Sequence, residues 1–416
     1  MKSPFQPRNT LASMRLPQEL VDAIVACVEH EKGHQILLSL LQASPTVFLP
    51  QVCLNLQHEP ICLNSYQSYR YLIEISRLCP AVLPSIWHLK VGASPTPLNA
   101  VLLNQSVVLL NDCTCLRSLH ISASGAGRSN EWSTLPARFR AALYKCMQLS
   151  TLEMLQLRSV KVTPAAVEEF TAPSPPPHLQ TICISGITMV SGTYFSTQPT
   201  MAQLGCTSST TNFSCDHQSL PFARLLYNPR PYPFGDLHKL ELASCEPWMD
   251  SATQQILADN PRLADLILQC TAWLPPYSLR ANIALRTLTL RFCVPVETWR
   301  PLGFPEVLNS IPESGTRTLE SSSLVVSAEE TMIDYWPAVD ASLCRFEMLK
   351  TVEVHVKSPF AETNAISASR IWGEGASSRF SGLWDAMRRT HERGILKITF
   401  GRSFATENWI FLSKLR

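Results

Sequence analysis

Hydrophobic residues recur along the middle of the chain with a fixed spacing. The stretch 237–245, LHKLELASC, has apolar residues at its first, fourth, sixth and ninth positions. Similar stretches follow, and their first leucines, Leu237, Leu263 and Leu285, are 26 and 22 residues apart. A short strand and a bend that recur every roughly 20–29 residues are typical of leucine-rich repeats. The pattern therefore predicts a repeat protein.

The same pattern extends, less regularly, over most of the chain. Further strands are predicted at 86–91, 116–121, 152–157, 179–184, 323–327, 349–354 and 395–400. Helices are predicted at 71–78, 138–147, 332–343 and 380–389, and from Thr163-Pro164 onward. Strands that alternate with return helices favour a parallel sheet. The expected fold is α/β, an irregular leucine-rich-repeat solenoid with parallel strands on the concave face, helices outside and a short N-terminal all-α segment.

The N-terminal region follows a helical spacing instead. Pro17 suits the first turn of a helix, where its missing N–H costs nothing. Leu20 and Ile24 lie four residues apart on one apolar face, next to Val21 and Val25. A second short helix is predicted soon afterwards, ending at a Ser-Pro pair. Helices this short cannot bury their leucines alone, so they need the end of the repeats or another protein.

These patterns divide the chain into three segments. Residues 1–10 are polar and predict a mobile leader, 11–60 a helical segment, and 61–416 the repeats. Residues 186–236, rich in Ser, Thr, Pro and Gly, interrupt the repeat spacing. They predict a long excursion, with one decayed repeat inside it as an open alternative.

Composition narrows the class of protein further. Of the 416 residues, 45% are hydrophobic and 16% charged, which excludes bulk disorder. The net charge of +2 provides no footprint for nucleic acid. No apolar run reaches the length of a membrane span, and no secretory leader is recognisable. We therefore expect a cytoplasmic or nuclear protein, without nucleic-acid or membrane partners, whose 14 cysteines are mostly reduced.

Three stretches carry a resemblance to a known family. LPQELVDAIV at 16–25, LLSLLQASPTVFLPQVCLNL at 37–56 and RGILKITF at 393–400 resemble the F-box and leucine-rich-repeat proteins expanded in mushroom-forming fungi. The resemblance implies a substrate receptor of a cullin–RING ubiquitin ligase. In that role the F-box docks on the adaptor subunit, and the repeats hold a protein substrate whose identity stays open.

The resemblance also implies which residues meet the adaptor. The predicted adaptor-binding residues are Leu16, Pro17, Leu20, Ile24, Leu37 and Leu41. In the alternative interpretation, the helices only cap the solenoid, since terminal repeats cannot bury their apolar faces without a cap. The protein would then be a stand-alone interaction scaffold. Whether these leucines are exposed or packed against the first repeats discriminates between the two.

Alternate strand residues point away from the core, so the repeats also predict a substrate-binding surface. In the most regular repeat these residues include His238, Lys239 and Glu241. They are the predicted substrate contacts.

The sequence offers little support for catalysis. His30, Glu31 and His34 form an H-E-x-x-H motif, which on a helix can bind zinc as in metalloproteases. Gly33 within the motif and the missing third-ligand motif argue against that remote alternative. Asp334 and Asp340 are six residues apart and would not share a helix face closely. We therefore predict a non-enzyme without a cofactor.

Overall fold

The computed structural model describes most of the chain. The described residues are 17–26, 33–92, 100–122, 131–163, 166, 177–189, 210–216, 219, 222, 236–243, 250–270, 277–292, 303–327, 335–357 and 382–401. The predicted leader at 1–10 lies outside them, as does most of the helix predicted from Thr163. Contacts within the chain divide it into two units, Met1–Lys161 and Val162–Arg416. The segment boundary predicted at residue 60 stays a prediction.

In its described residues, the first unit combines six helices with four parallel strands. The helices are α1 (Gln18–Ala26), α2 (Gly33–Ala43), α3 (Pro45–His58), α4 (Tyr66–Leu78), α5 (Ala100–Asp112) and α6 (Ala137–Met147). The strands are β1 (Ile61–Leu63), β2 (His88–Gly92), β3 (Ser118–Ser122) and β4 (Met154–Arg158), paired in that order. Short 3-10 helices at Pro80–Ser85 and Trp132–Thr134 precede β2 and α6.

Two apolar columns run across the strands of the first unit. One column consists of the aligned residues Ile61, Leu89, Leu119 and Leu155. The second column lies two residues further along each strand and consists of Leu63, Val91, Ile121 and Leu157. All except Leu155 are buried. Because side chains alternate along a strand, a spacing of two residues puts both columns on the same face. The leucines of the repeat pattern thus form part of the core of this unit.

The described residues of the second unit likewise form eight parallel strands. The strands are β6 (Thr181–Ser185), β8 (Asn212–Asp216), β9 (Lys239–Ala243), β10 (Asp265–Cys270), β11 (Thr287–Phe292), β12 (Ser321–Ser327), β13 (Thr351–Lys357) and β14 (Leu396–Gly401). Its helices include α7 (Asp250–Asp259), α8 (Phe304–Ser310), α9 (Trp336–Leu343) and α10 (Arg388–Glu392), with a 3-10 helix at Glu313–Arg317. The two-residue strands β5 (Lys161–Val162) and β7 (Thr188–Met189) are also present.

The repeats of the second unit are in register. Leu240, Leu266 and Leu288 are aligned across β9, β10 and β11. The column that starts at Leu242 continues through Leu268, Leu290, Leu324, Val354 and Ile398. Where helices are described between successive strands, they connect a strand to its parallel neighbour, as the right-handed strand–helix–strand unit requires. The predicted α/β leucine-rich-repeat architecture is confirmed.

Several elements were not predicted, among them helices α5, α7 and α8 and two strands. The strand at Ile61–Leu63 precedes the predicted first strand. A strand at Asn212–Asp216 lies inside the predicted excursion, where a decayed repeat was the open alternative. This second strand pairs with β6 and β9. A three-residue strand and one that reads NFSCD lack the leucine pattern, so only pairing with neighbours identifies them.

The C-terminal helix region also departs from a single helix. Residues 382–386 are helical, Met387 interrupts them, and Arg388–Glu392 is helical again. Gly394 follows with φ of 69°, a left-handed conformation that glycine adopts without strain. The predicted end of the helix at Gly394 and the strand after it are both found.

Candidate functional site

The N-terminal helices bury part of the predicted adaptor-binding set. Leu37 and Leu41 are 3% and 0% exposed, whereas Leu20 is 47% exposed. Ile24 is half-buried and Pro17 is exposed. Leu16 lies outside the described residues. The predicted set is therefore split between interior and surface.

Packing among the helices explains this division. Helix α1 packs on α3, and α2 packs on α3 and on α4, the first helix after the opening strand. Val21 and Val25 form the buried stripe of α1, at 1% and 0% exposure, in place of Leu20 and Ile24. A helix can bury only the stripe that faces its neighbour. Leu20 is left on the surface because α3 contacts the valine side.

Further apolar side chains remain outside on the same helices. Ile36 on α2 is 37% exposed and Leu54 on α3 is 46% exposed. Together with Leu20, each of the three N-terminal helices thus presents one large apolar side chain to solvent. Burying such a side chain against a partner is favourable by about 1.5–3 kcal/mol.

The three predicted substrate contacts of the second unit differ in accessibility. His238 and Lys239 are exposed. Glu241 is mostly buried, with 13% of its side chain exposed, and faces Arg291 at 3.6 Å. Burial raises the pKa of Glu241, and the neighbouring Arg291 and Lys239 partly oppose this shift. Glu241 is therefore held in an ion pair with Arg291. The exposed side chains of His238 and Lys239 are accessible to a partner protein.

A cluster on the last two strands was not anticipated from the sequence. His355 hydrogen-bonds to Thr399 through Nδ1 and lies 3.2 Å from Glu353 Oε2 through Nε2. Lys397 Nζ donates to the other oxygen of Glu353 at 2.9 Å. This hydrogen bond, with the nearby charges, lowers the pKa of Glu353. Residues 44 positions apart are joined by strand pairing alone, which no local pattern can reveal.

The first unit presents a different surface, which we call the first strand face. It consists of the outward positions of β2, β3 and β4: His88, Lys90, Gly92, Ser118, His120, Ser122, Met154, Gln156 and Arg158. At the N-terminal ends of these strands, the Arg117 guanidinium lies 3.8 Å from the centre of the Trp87 ring and 3.9 Å from Glu153. Both charged residues there are thus engaged.

His120 lies in the middle of this face. Burial lowers its pKa to about 4, and the charges of Lys90 and Arg158 act in the same direction. Burial and Arg117 also lower the pKa of His88. At neutral pH the His120 ring is therefore uncharged, and it can supply an N–H donor without adding charge.

The shift in His120 predicts an acid-sensitive stability. The unfolded chain takes up the proton near pH 6.5 and the folded chain only near 4, so stability is fully present above 6.5 and is lost as the pH falls towards 4. We expect this group to contribute about 2 kcal/mol to that loss, since the ring is partly hydrated. Urea unfolding across this pH range checks it. His120→Gln should reduce the dependence of the free energy of unfolding on pH, and the same change at exposed His238 should not.

The remaining candidate chemistry finds no assembled site in the described part of the chain. His30 and Glu31 of the zinc motif lie outside it, so the metalloprotease alternative stays untested. Among the described residues, no group of three His, Cys, Asp or Glu is arranged to hold a metal ion. Within those same limits, no helix has the length and apolar character needed to cross a bilayer. Asp340, one of the two aspartates compared above, is buried at 3% exposure, and Asp334 lies outside the described residues.

Several cysteines are packed as small apolar residues. Cys113, Cys146 and Cys183 are buried and free. Burial raises the pKa of all three thiols, that of Cys146 to about 12. A thiol that stays protonated is a poor nucleophile and a poor metal ligand. These cysteines therefore belong to the core.

Comparisons with known proteins identify no family. No family model matches the chain, and no curated protein matches it. Among solved structures, the crystal structure of Listeria monocytogenes InlP is similar with a TM-score of 0.30 and 13% identity. The match covers 67% of this chain and 58% of that one, so the chain spans less than two thirds of the InlP structure. A likeness at this level says nothing about what either protein binds.

Proposed function

We propose that the chain is a protein-binding repeat scaffold that serves as the substrate receptor of a cullin–RING ubiquitin ligase. The N-terminal helices would dock on the adaptor subunit. The outward faces of the parallel strands would hold the protein substrate.

The exposure of Leu20 is the observation that carries the adaptor part of the proposal. Val21 and Val25 are buried on α1, which packs on α3, yet Leu20 on the same helix remains 47% exposed. Isolated apolar residues on a surface are ordinary. Here, however, exposed Pro17 precedes Leu20, and Ile36 and Leu54 are exposed on the next two helices. An adaptor would cover these side chains.

Leu37 and Leu41 take a different role in this proposal. Both are buried between α2 and its neighbours, so they would hold the helices in place and would not touch the adaptor. The docking residues are then Pro17, Leu20, Ile24, Ile36 and Leu54.

The strand faces support the substrate-binding part through their chemistry. Parallel strands in register present rows of side chains about 4.8 Å apart, a spacing suited to an extended or folded protein surface. In the second unit, exposed His238 and Lys239 border paired charges such as Glu241 and Arg291. Such mixed polar surfaces are typical of protein recognition.

Capture of the purified adaptor subunit tests the ligase role directly. We expect the wild-type chain to retain the adaptor and Leu20→Asp to weaken capture at least tenfold. A tenfold change corresponds to about 1.4 kcal/mol, less than the burial of one leucine contributes. Titration by isothermal calorimetry gives the affinities.

A matched substitution controls for a general effect of surface charge. Val108 on α5 is 59% exposed and lies outside the F-box-like segment, so Val108→Asp should capture the adaptor normally. Equal loss in both variants would refute a docking role for Leu20. Failure of the wild type to bind would leave the helices as a cap and the protein as a stand-alone scaffold.

A further inference from the structure

Two side chains on neighbouring strands of the first unit each bury one polar atom that has no hydrogen-bond partner. Gln156 on β4 is only 5% exposed, and its Oε1 atom is buried without a partner. The Nε2 atom of His120 on β3 is buried and unpartnered in the same way. The two residues are Cα partners in the parallel register, so they lie side by side. Leaving a buried polar atom unpaired costs about 1–3 kcal/mol.

This arrangement differs from the polar side chains of the second unit. There, Glu241 faces Arg291, and Thr287 donates to Asp265 at 2.5 Å. Lys397 donates to Glu353. These outward polar side chains of the second unit thus pair with each other across strands. The unpaired atoms of His120 and Gln156 contrast with these three pairs.

The charges around the two side chains are all of one sign. Lys90 is the Cα partner of His120 on the other side, and Arg158 is two residues beyond Gln156. None of the nine residues of the first strand face is acidic. The nearest acid along β4, Glu153, already lies beside Arg117. The face therefore combines unpaired hydrogen-bonding groups with uncompensated positive charge.

We propose that the first strand face binds the carboxylate of an aspartate or glutamate in an extended segment of a partner protein. This inference rests on the protein-binding role proposed above and names the chemistry that it recognises. His120 would donate from Nε2. Gln156 would donate from its amide, whose orientation is set by whichever partner it meets. Lys90 and Arg158 would balance the charge.

The number and kind of groups favour a carboxylate over a phosphate. The two hydrogen-bonding groups are a neutral amide and a neutral imidazole, and the cations lie beside them, with Lys90 exposed. A carboxylate has two oxygens and a single charge, so it matches two neutral donors at the lowest desolvation cost. A dianionic phosphate would need more charge at the buried position itself.

Gln156→Leu provides a test that separates binding from folding. Leucine has a similar size and no polar atom, so the melting temperature should stay unchanged or rise if Gln156 has no partner within the protein. The same variant should weaken binding of a carboxylate at least tenfold. A structural glutamine would give the opposite result, a lower melting temperature.

The probe is an acetylated, amidated pentapeptide, Thr-Glu-Thr-Glu-Thr, added to the full chain. Its glutamine counterpart and a phosphoserine counterpart serve as comparisons. Binding is followed through the ¹⁵N resonances of labelled histidine and by calorimetry. We expect a saturable shift of the His120 signal with the glutamate peptide, weakened at least tenfold by Gln156→Leu and by Lys90→Gln. Lys145→Gln, which removes an exposed cation from α6, should bind as the wild type does.

Several results would overturn the proposal. They are no shift with the glutamate peptide, equal binding of the glutamine peptide, binding of the phosphoserine peptide alone, or unaltered binding by Gln156→Leu. Adaptor capture by the same preparation separates this failure from that of the proposed function. Capture without peptide binding removes only the carboxylate site, whereas peptide binding without capture removes only the ligase role.

Discussion

Replacing Asp340 with alanine should lower the free energy of unfolding of the second unit by about 4 kcal/mol. Asp340 on α9 is 3% exposed. Its carboxyl oxygens accept from the backbone N–H groups of Arg389 and Thr390 at 3.0 and 2.9 Å, and from the Thr390 hydroxyl. Thr390 is itself fully buried. Alanine would leave these donors without an acceptor and without access to water.

The effect is large because this contact joins distant parts of the chain. Asp340 and Thr390 are 50 residues apart, and α9 and α10 flank the segment 358–381, which lies outside the described residues. Urea unfolding, followed by tryptophan fluorescence, measures the loss. Asp340→Asn keeps one acceptor oxygen and should lose about half as much.

Asp385 offers a matched control for Asp340. It is an exposed acidic residue in the same region, so Asp385→Ala should change stability by less than about 0.5 kcal/mol. A similarly small effect of Asp340→Ala would mean that the hydrogen bonds from Arg389 and Thr390 to Asp340 contribute nothing to stability, contrary to this prediction.

Asn260→Ala should cost about 3 kcal/mol, the second-largest expected effect. Asn260 is fully buried in the turn before β10. Its Nδ2 donates to the Ile256 carbonyl at 2.7 Å, and its Oδ1 accepts from the Leu237 N–H at 3.0 Å. One side chain thus satisfies backbone groups of two successive repeats. Alanine leaves both groups buried and unpaired.

Hydrogen exchange gives a direct measure of this role. The Leu237 amide should exchange faster in Asn260→Ala, together with a lower midpoint of urea unfolding. Asn104 is exposed on α5, and Asn104→Ala should leave stability within about 0.5 kcal/mol of the wild type. Unchanged protection of Leu237 in the Asn260 variant would contradict the bridging role.

A similar asparagine contact occurs in the next repeat. This recurrence could not be recognised from the leucines alone. Asn282, 22 residues later, donates to the carbonyls of Leu257 and Asn260 at 2.9 and 2.8 Å. The leucine spacing predicts the length of the repeat but does not single out these asparagines. Burial of these asparagines depends on the previous turn, so only the stacked repeats reveal their function.

The N-terminal helices illustrate how far periodicity alone can go. Leu20 with Ile24 and Val21 with Val25 both have a spacing of four, so the sequence predicts a helix but fits two apolar faces. Contact with α3 decides that the valine face is buried. Which leucines are available to an adaptor is therefore a property of the packing.

The sequence by itself determined the α/β class, the parallel strands and most of their positions, because a residue spacing of two within strands and 20-odd between them is a local signal. The tertiary structure decided which polar residues are paired. Asp340 and Asn260 acquire partners, while His120 and Gln156 are brought together with one buried atom of each left unpaired. The reason is physical: whether a polar group is satisfied depends on neighbours that are distant in sequence, and on the water that folding removes.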